Sequence, residues 1–162
     1  MPRPFIKFIT PASTDELAAT RQIFIEYAEQ LGIDLGFQNF DAEPADLPGE
    51  YGAPAGALLL ALVDGEVAGC CGLRALDSVN YPNAAEMKRL YVKKPYRRFG
   101  LGRQLAEAAL DAARAAGYCS VLLDTLDDME SARALYADLG FEEIPPYYHN
   151  PVPVAHYLKA DL

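Results

Sequence analysis

The sequence predicts one mixed α/β domain over residues 1–162, a sheet with helices packed on its faces. Three observations predict it. Strand and helix patterns follow one another as strand, helix, long loop, three strands, helix, strand, helix, two strands. No internal repeat or linker interrupts them, and 162 residues suit a single core. Hydrophobic residues make up 51% and charged residues 23%, the balance of an ordinary globular domain.

Phe5 to Ile9 reads as a first strand. Ser13 and Glu16 form a capping box ahead of Leu17, Ile23, Phe24, Tyr27 and Leu31, an amphipathic helix that ends near Gly32. Residues 36–56, rich in Gly, Pro and acids, read as a long loop with one short helix around 40–47. The apolar run Ala57 to Val63 meets Asp64-Gly65, a hairpin signal, and returns as Val67 to Leu73. A turn over 77–83 leads to the strand Glu86 to Val92, stopped by Pro95.

Gly100 to Ala116 is helical, with Leu101, Leu105, Ala109 and Ala112 on one face and Gly117 closing it. Val121 to Leu123 is a buried strand. Met129 to Leu139 forms a second late helix with Leu135, Tyr136 and Leu139 on its stripe, closed by Gly140. Phe141 to Ile144 and Val154 to Leu162 are the last two strands, joined through Pro145-Pro146-Tyr147-Tyr148.

Charge is segregated. The net charge of −9 disfavours nucleic acid as a partner. Between Gln22 and Leu73 there is no Lys or Arg, while acids run from Glu26 and Glu29 to Asp64 and Glu66. Lys88, Arg89, Lys93, Lys94, Arg97, Arg98 and Arg103 fall in one short segment without an acid. Such a chain suggests one surface for an anion and another for a cation, or simply two solvated faces.

No window nears the roughly 18 unbroken apolar residues of a membrane helix, and the N-terminal residues lack the apolar core of a signal peptide. A cytoplasmic protein without a membrane partner is the expectation. The 3 cysteines carry no metal spacing and no paired framework. Adjacent Cys70 and Cys71 point to opposite faces of their strand. No metal is expected.

The stretch Arg97-Arg98-Phe99-Gly100-Leu101-Gly102 lies between a strand and a helix. It therefore offers free N–H groups at a helix N-terminus, where phosphate binds. Gly100 and Gly102 let an anion approach the main chain, and Arg97, Arg98 and Arg103 add fixed charge. Arg103-Gln104 after Gly102 fails the Lys-Ser/Thr of a Walker loop. Leu105 fails the third small residue of a dinucleotide fingerprint.

With Leu90-Tyr91-Val92 and Pro95 ahead of it, Arg97-x-x-Gly100-x-Gly102 resembles the coenzyme-binding signature of the GNAT superfamily of N-acetyltransferases. Ala132-x-x-Leu135-Tyr136-x-x-x-Gly140-Phe141 resembles that family's second block, in the expected order. The resemblance covers most of the chain. It implies a mostly antiparallel seven-stranded sheet flanked by about four helices and splayed between its fourth and fifth strands, with acetyl-CoA entering the split. Met129 departs from it, standing where members often carry a coenzyme-binding Asn; Thr125 or Ser131 are the substitutes at hand.

The resemblance also implies roles. The backbone of Leu90, Tyr91 and Val92 would pair with the pantetheine and polarise the thioester carbonyl. Arg97, Arg98, Phe99, Gly100, Leu101, Gly102 and Arg103 would surround the phosphates. Tyr136 would act as general acid for the departing thiolate; without the motif it reads as a core tyrosine on an apolar stripe. Glu86 is the first candidate for general base, or else a strand-end acid paired with Lys88 on the same face. Asp124 is a rival base or a helix cap. Tyr147, Tyr148, His149 and Asn150 line the acceptor side or pack a strand crossover, and His156 is structural.

The expected reaction is direct acetyl transfer to a primary amine, from a small cationic molecule by charge complementarity with region 22–73. A peptide or protein amine is the alternative acceptor, and a non-catalytic acyl-CoA-binding module the alternative function. A homodimer stays open.

Overall fold

The computed structural model describes residues 4–31, 47, 49–52, 54–76, 80–126, 130–147 and 155–162. Its elements are β1 (Ile6–Ile9), α1 (Thr14–Leu31), β2 (Ala57–Val63), β3 (Glu66–Leu76), β4 (Ala84–Val92), α2 (Leu101–Ala116), β5 (Ser120–Leu126), α3 (Glu130–Asp138), β6 (Glu142–Ile144) and β7 (Ala155–Asp161). Short 3-10 turns occupy Gly49–Tyr51 and Lys94–Phe99. Three α-helices are thus present among the described residues. The short helix expected around 40–47 lies outside them but for Leu47.

Local signals produced local structure. The Ser13 hydroxyl accepts from Glu16 N at 3.1 Å, and Glu16 Oε1 accepts from Ala12 N and Ser13 N, completing the capping box of α1. Those backbone donors hold the Glu16 carboxyl below its usual range. Its contribution is therefore present above the ordinary glutamate pKa and lost as pH falls through the depressed folded value. Asp64 and Gly65 both take left-handed φ (51° and 84°), the geometry of the two-residue turn that joins β2 to β3.

Seven strands form one sheet in the order β1-β2-β3-β4-β5-β7-β6. All pairs are antiparallel except β4 with β5. The parallel register runs Ala84↔Ser120, Ala85↔Val121 and Glu86↔Leu122, then stops. From Met87 to Val92, β4 has no ladder to β5, and the sheet splays open there.

A bulge interrupts β4 at the same level. Gly72 pairs with Lys88 and Cys70 with Tyr91, so Arg89 and Leu90 together oppose Cys71. Arg89 takes φ 60°, a left-handed conformation rare for a side chain of this size. The extra residue inverts the alternation of the strand. Before it, Ala85 and Met87 face the core under α2; after it, Leu90 and Val92 do. Tyr91 turns to the other face, against α1.

Two cores result. One lies between the sheet and α2 and α3, built on Leu101, Leu105, Ala109, Val121, Leu123, Tyr136 and Phe141. The other lies under α1, built on Ile23, Phe24, Tyr51, Leu58, Leu60 and Cys70. Cys71 belongs to the first and Cys70 to the second, on opposite faces as their adjacency requires. No described helix is long and apolar enough to cross a membrane.

Gly72 on β3 is needed for its emptiness. A Cβ there would lie 2.7 Å from Tyr51 Cε1, inside van der Waals contact, and Tyr51 is itself buried. Gly72→Ala is expected to cost about 1–3 kcal/mol by overpacking. A fall in the urea midpoint at unchanged slope would register it.

Candidate active site

The 3-10 turn Lys94–Phe99 ends at Gly100, whose φ of 71° turns the chain into α2. No side chain caps this helix. Its first backbone bond is Gln104 N to Gly100 O at 3.3 Å. The amides of Leu101, Gly102 and Arg103 therefore have no intrahelical acceptor and lie at the positive end of a 16-residue helix. A Cβ on Gly100 would touch nothing within 4 Å, so it is the positive φ that calls for glycine there.

The side chains around this terminus divide. Arg97 is exposed, donates from Nε to Val92 O at 2.9 Å and lies over the Tyr91 ring. Arg103 is already engaged, paired with Asp138 of α3 and 3.7 Å from Glu107. Leu101 is buried in the α2 core and Phe99 packs against it, so only their backbones can meet a phosphate. The Arg98 side chain lies outside the described residues.

Past the bulge, Leu90, Tyr91 and Val92 turn their side chains into the two cores, leaving main-chain groups along the splay. The Tyr91 hydroxyl donates to Glu26 Oε2 at 2.7 Å; burial first, then that carboxylate, push its pKa up to about 12.

Tyr136 stands on α3 with its ring in the core shared with α2. It is buried, edge-on to Phe141 at 5.5 Å between ring centroids. Its hydroxyl makes no hydrogen bond among the described residues. Burial raises its pKa well above the ordinary phenol value, with Cys71, Tyr27 and Asp124 adding to the effect.

Charge is concentrated on the α1 side of the splay. Glu86 is 3% exposed. Its Oε1 accepts from Arg74 Nε at 3.0 Å, with Arg74 Nη2 at 2.9 Å, and its Oε2 accepts from the Tyr147 hydroxyl at 2.7 Å. Lys88 Nζ stands 3.9 Å from Glu86 Oε2 and 3.8 Å from Asp124 Oδ1, bridging the strands where their ladder has ended. Burial lowers the Lys88 pKa, opposed by these two carboxylates. Arg89 comes within hydrogen-bonding reach of Tyr27, whose pKa burial pushes up to about 12.

These positions correct one reading of the sequence. Lys88 and Arg89 do not extend the phosphate cluster, because the bulge carries both into the buried α1-side network. The expected pairing of Lys88 with Glu86 is present, but Arg74 makes the closer bridge and has no signal in the sequence. Tyr147 and Asp124 do enter the network. Met129, Tyr148, His149 and Asn150 lie outside the described residues, as does the Ser131 side chain; Thr125 is buried on β5. His156 Nδ1 meets Glu143 Oε1 at 2.5 Å, away from the splay.

A separate cavity of about 700 Å³ opens beside α1, lined by Glu26, Glu29, Glu66, Lys93 and Tyr96 among others. It is the structural counterpart of the acidic segment. Among the described residues no group of three or more His, Cys, Asp or Glu side chains is placed to hold a metal.

The family model described as the acetyltransferase (GNAT) family matches residues 17–141. An uncharacterized N-acetyltransferase of Schizosaccharomyces pombe is 38% identical over 138 residues, covering 85% of this chain and 83% of that one. The chain belongs to the GNAT family. It is an acyltransferase with a GNAT fold. An acetyltransferase from Streptococcus agalactiae superposes with a TM-score of 0.78 at 21% identity, over 97% of this chain and 98% of its own. The PaiA N-acetyltransferase of Thermoplasma acidophilum, solved in complex with coenzyme A, gives 0.71 at 17% identity, over 98% and 99%. The residues present fit such a coenzyme: an uncapped helix terminus for its phosphates and an open strand edge for its amides.

Proposed function

We propose that this GNAT domain transfers an acetyl group directly from acetyl-CoA to the primary amine of a small acceptor bound on the α1 side of the splay. The observation that carries it is the end of the β4–β5 ladder at Glu86. Past it β4 runs on as an open strand edge toward the uncapped N-terminus of α2. When bound, the coenzyme supplies an activated acetyl thioester.

The chain's residues divide the remaining work. The amides of Leu101, Gly102 and Arg103, with Arg97 beside them, hold the phosphates, and the main chain of Leu90 to Val92 aligns the pantetheine and the carbonyl. Tyr136, kept protonated by burial, hands its proton to the departing sulfur. Glu86 takes the amine's proton through Tyr147: the phenol oxygen accepts that proton as its own passes to Glu86 Oε2, 2.7 Å away. The Glu26, Glu29 and Glu66 cavity draws the protonated amine toward the cleft. Buried free Cys70 and Cys71 suit a reducing, cytoplasmic setting.

Release of free thiol from acetyl-CoA in the presence of a panel of amines tests this. The expected result is release that depends on the acceptor. Tight coenzyme binding without acceptor-dependent release across the panel would favour a non-catalytic acyl-CoA-binding module instead.

A further inference from the structure

Beyond the bulge, β4 keeps its pairing with β3 and has lost its pairing with β5. A strand bonded on one side alone has fewer contacts to fix its position. Two side chains add to the hold. On the α1 face, Glu26 meets two positions at once: its Oε2 accepts from the Tyr91 hydroxyl at 2.7 Å, and its Oε1 lies 3.8 Å from Lys93 Nζ. Tyr91 and Lys93 are two residues apart and so share that face. Lys93 N donates to Ala68 O at 2.8 Å, which turns the main chain of Tyr91 and Lys93 toward β3 and that of Val92 toward the opening. There Arg97 Nε donates to Val92 O at 2.9 Å.

The Tyr91–Glu26 bond differs from the ion pair beside it. The Glu26 and Lys93 side chains are 37% and 32% exposed, so their attraction is screened and small. The phenol-to-carboxylate bond is short and charge-assisted, and its ring is fixed edge-on to Tyr27 at 5.9 Å between centroids, with Arg97 over it. It ties α1 to the middle of the segment whose main chain aligns the pantetheine. We propose that Glu26 is a positioning residue for coenzyme A, acting through the Tyr91 hydroxyl to fix the Leu90 to Val92 main chain without touching the coenzyme. This rests on the placement of the pantetheine along that edge in the reading above, and it adds a residue of α1 to that site.

The sign of the effect separates this role from plain electrostatics. Coenzyme A is an anion, so deleting a nearby carboxylate, and freeing Lys93 with it, should tighten binding if charge alone matters. Loss of alignment should weaken it. Calorimetric titration with coenzyme A is expected to show about tenfold weaker binding for Glu26→Ala, the scale of one charge-assisted bond. Tyr91→Phe, which keeps the ring and the net charge, should lose as much. The double variant should lose no more than about threefold beyond either single change, because both remove the same bond. Glu26→Gln keeps an acceptor oxygen for Tyr91 and should stay within about threefold of the wild type.

Unchanged or tighter binding by Glu26→Ala overturns the proposal. So do losses that add in the double variant, or a Glu26→Gln loss equal to that of Glu26→Ala. A purely structural role would lower the urea midpoint of the variants and leave the coenzyme affinity of the folded protein as it was, which also overturns it. If Glu26→Ala does not fold, Tyr91→Phe decides by itself. The titration needs no acceptor. A wild-type protein that binds coenzyme A and acetylates no amine therefore fails the transfer reading alone, and one that does not bind coenzyme A fails both.

Discussion

Tyr136→Phe is expected to lower kcat about 10²-fold, the lower end of what a positioned acid or base contributes. Stability should change by less than about 1 kcal/mol, because the hydroxyl makes no hydrogen bond among the described residues whose loss could be felt. A core tyrosine without a chemical role would show neither the rate loss nor the separation of rate from stability. The direction of the pKa shift adds a second signature. An ordinary tyrosine loses its proton near pH 10, whereas burial keeps Tyr136 protonated above that. The wild-type rate should therefore show no alkaline fall from this group up to about pH 10. Stopped-flow thiol release for the two proteins, beside their urea unfolding curves, measures all three; an unchanged kcat removes Tyr136 from the mechanism.

Glu86→Ala is expected to cost about 3–5 kcal/mol, since it strands buried cations rather than deleting a surface pair. Arg74 loses its bidentate partner, Lys88 loses one of two nearby carboxylates, and the Tyr147 hydroxyl loses its acceptor. Glu86→Gln keeps an acceptor oxygen for Arg74 or Tyr147 and is expected to cost less, about 1–3 kcal/mol. Its value is chemical. If Glu86 receives the amine's proton through Tyr147, the folded Gln variant should lose the acid-side fall in kcat/KM along with most of its rate. A folded Gln variant with the wild-type profile and rate would leave Glu86 as a structural ion-pair partner only. Unfolding curves identify the stability part, and the pH profile isolates the catalytic part.

The two carboxylates beside Lys88 differ in what the sequence signals about them. Asp124 ends a buried strand and invites a capping role; only the end of the β4–β5 ladder shows it opposite Lys88. Glu86 announces itself by its place ahead of the phosphate loop. Its dominant partner, Arg74, is opposite it on β3 by antiparallel register, and Tyr147 comes from the crossover before β7. Neither pairing has a sequence signature, because register and chain crossing are set by how whole strands pack.

The basic segment shows the same division within one stretch of chain. Sequence spacing places Lys88, Arg89, Lys93, Arg97 and Arg103 together, and a regular strand would alternate the first two across the sheet. The bulge at Arg89 cancels that alternation and directs both into the α1-side network, while Arg97 stays in the turn ahead of the helix terminus. Arg103 is drawn off by Asp138 from the neighbouring helix.

What the sequence determined by itself was everything with a short physical range. The capping box at Ser13 and Glu16, the Asp64-Gly65 turn, the left-handed glycines at 100 and 117 and the order of strands and helices follow from backbone preferences over a few residues. The uncapped helix terminus at Gly100 is of this kind, since it is built from consecutive amides. Tertiary structure alone decided where the sheet opens, which face Lys88 and Arg89 occupy, and that Arg74 and Tyr147 close on Glu86. Those contacts join residues 12 and 61 positions apart. They form because unpaired buried charge is too unfavourable to leave without a partner, and the partner is chosen by packing rather than by proximity in the chain.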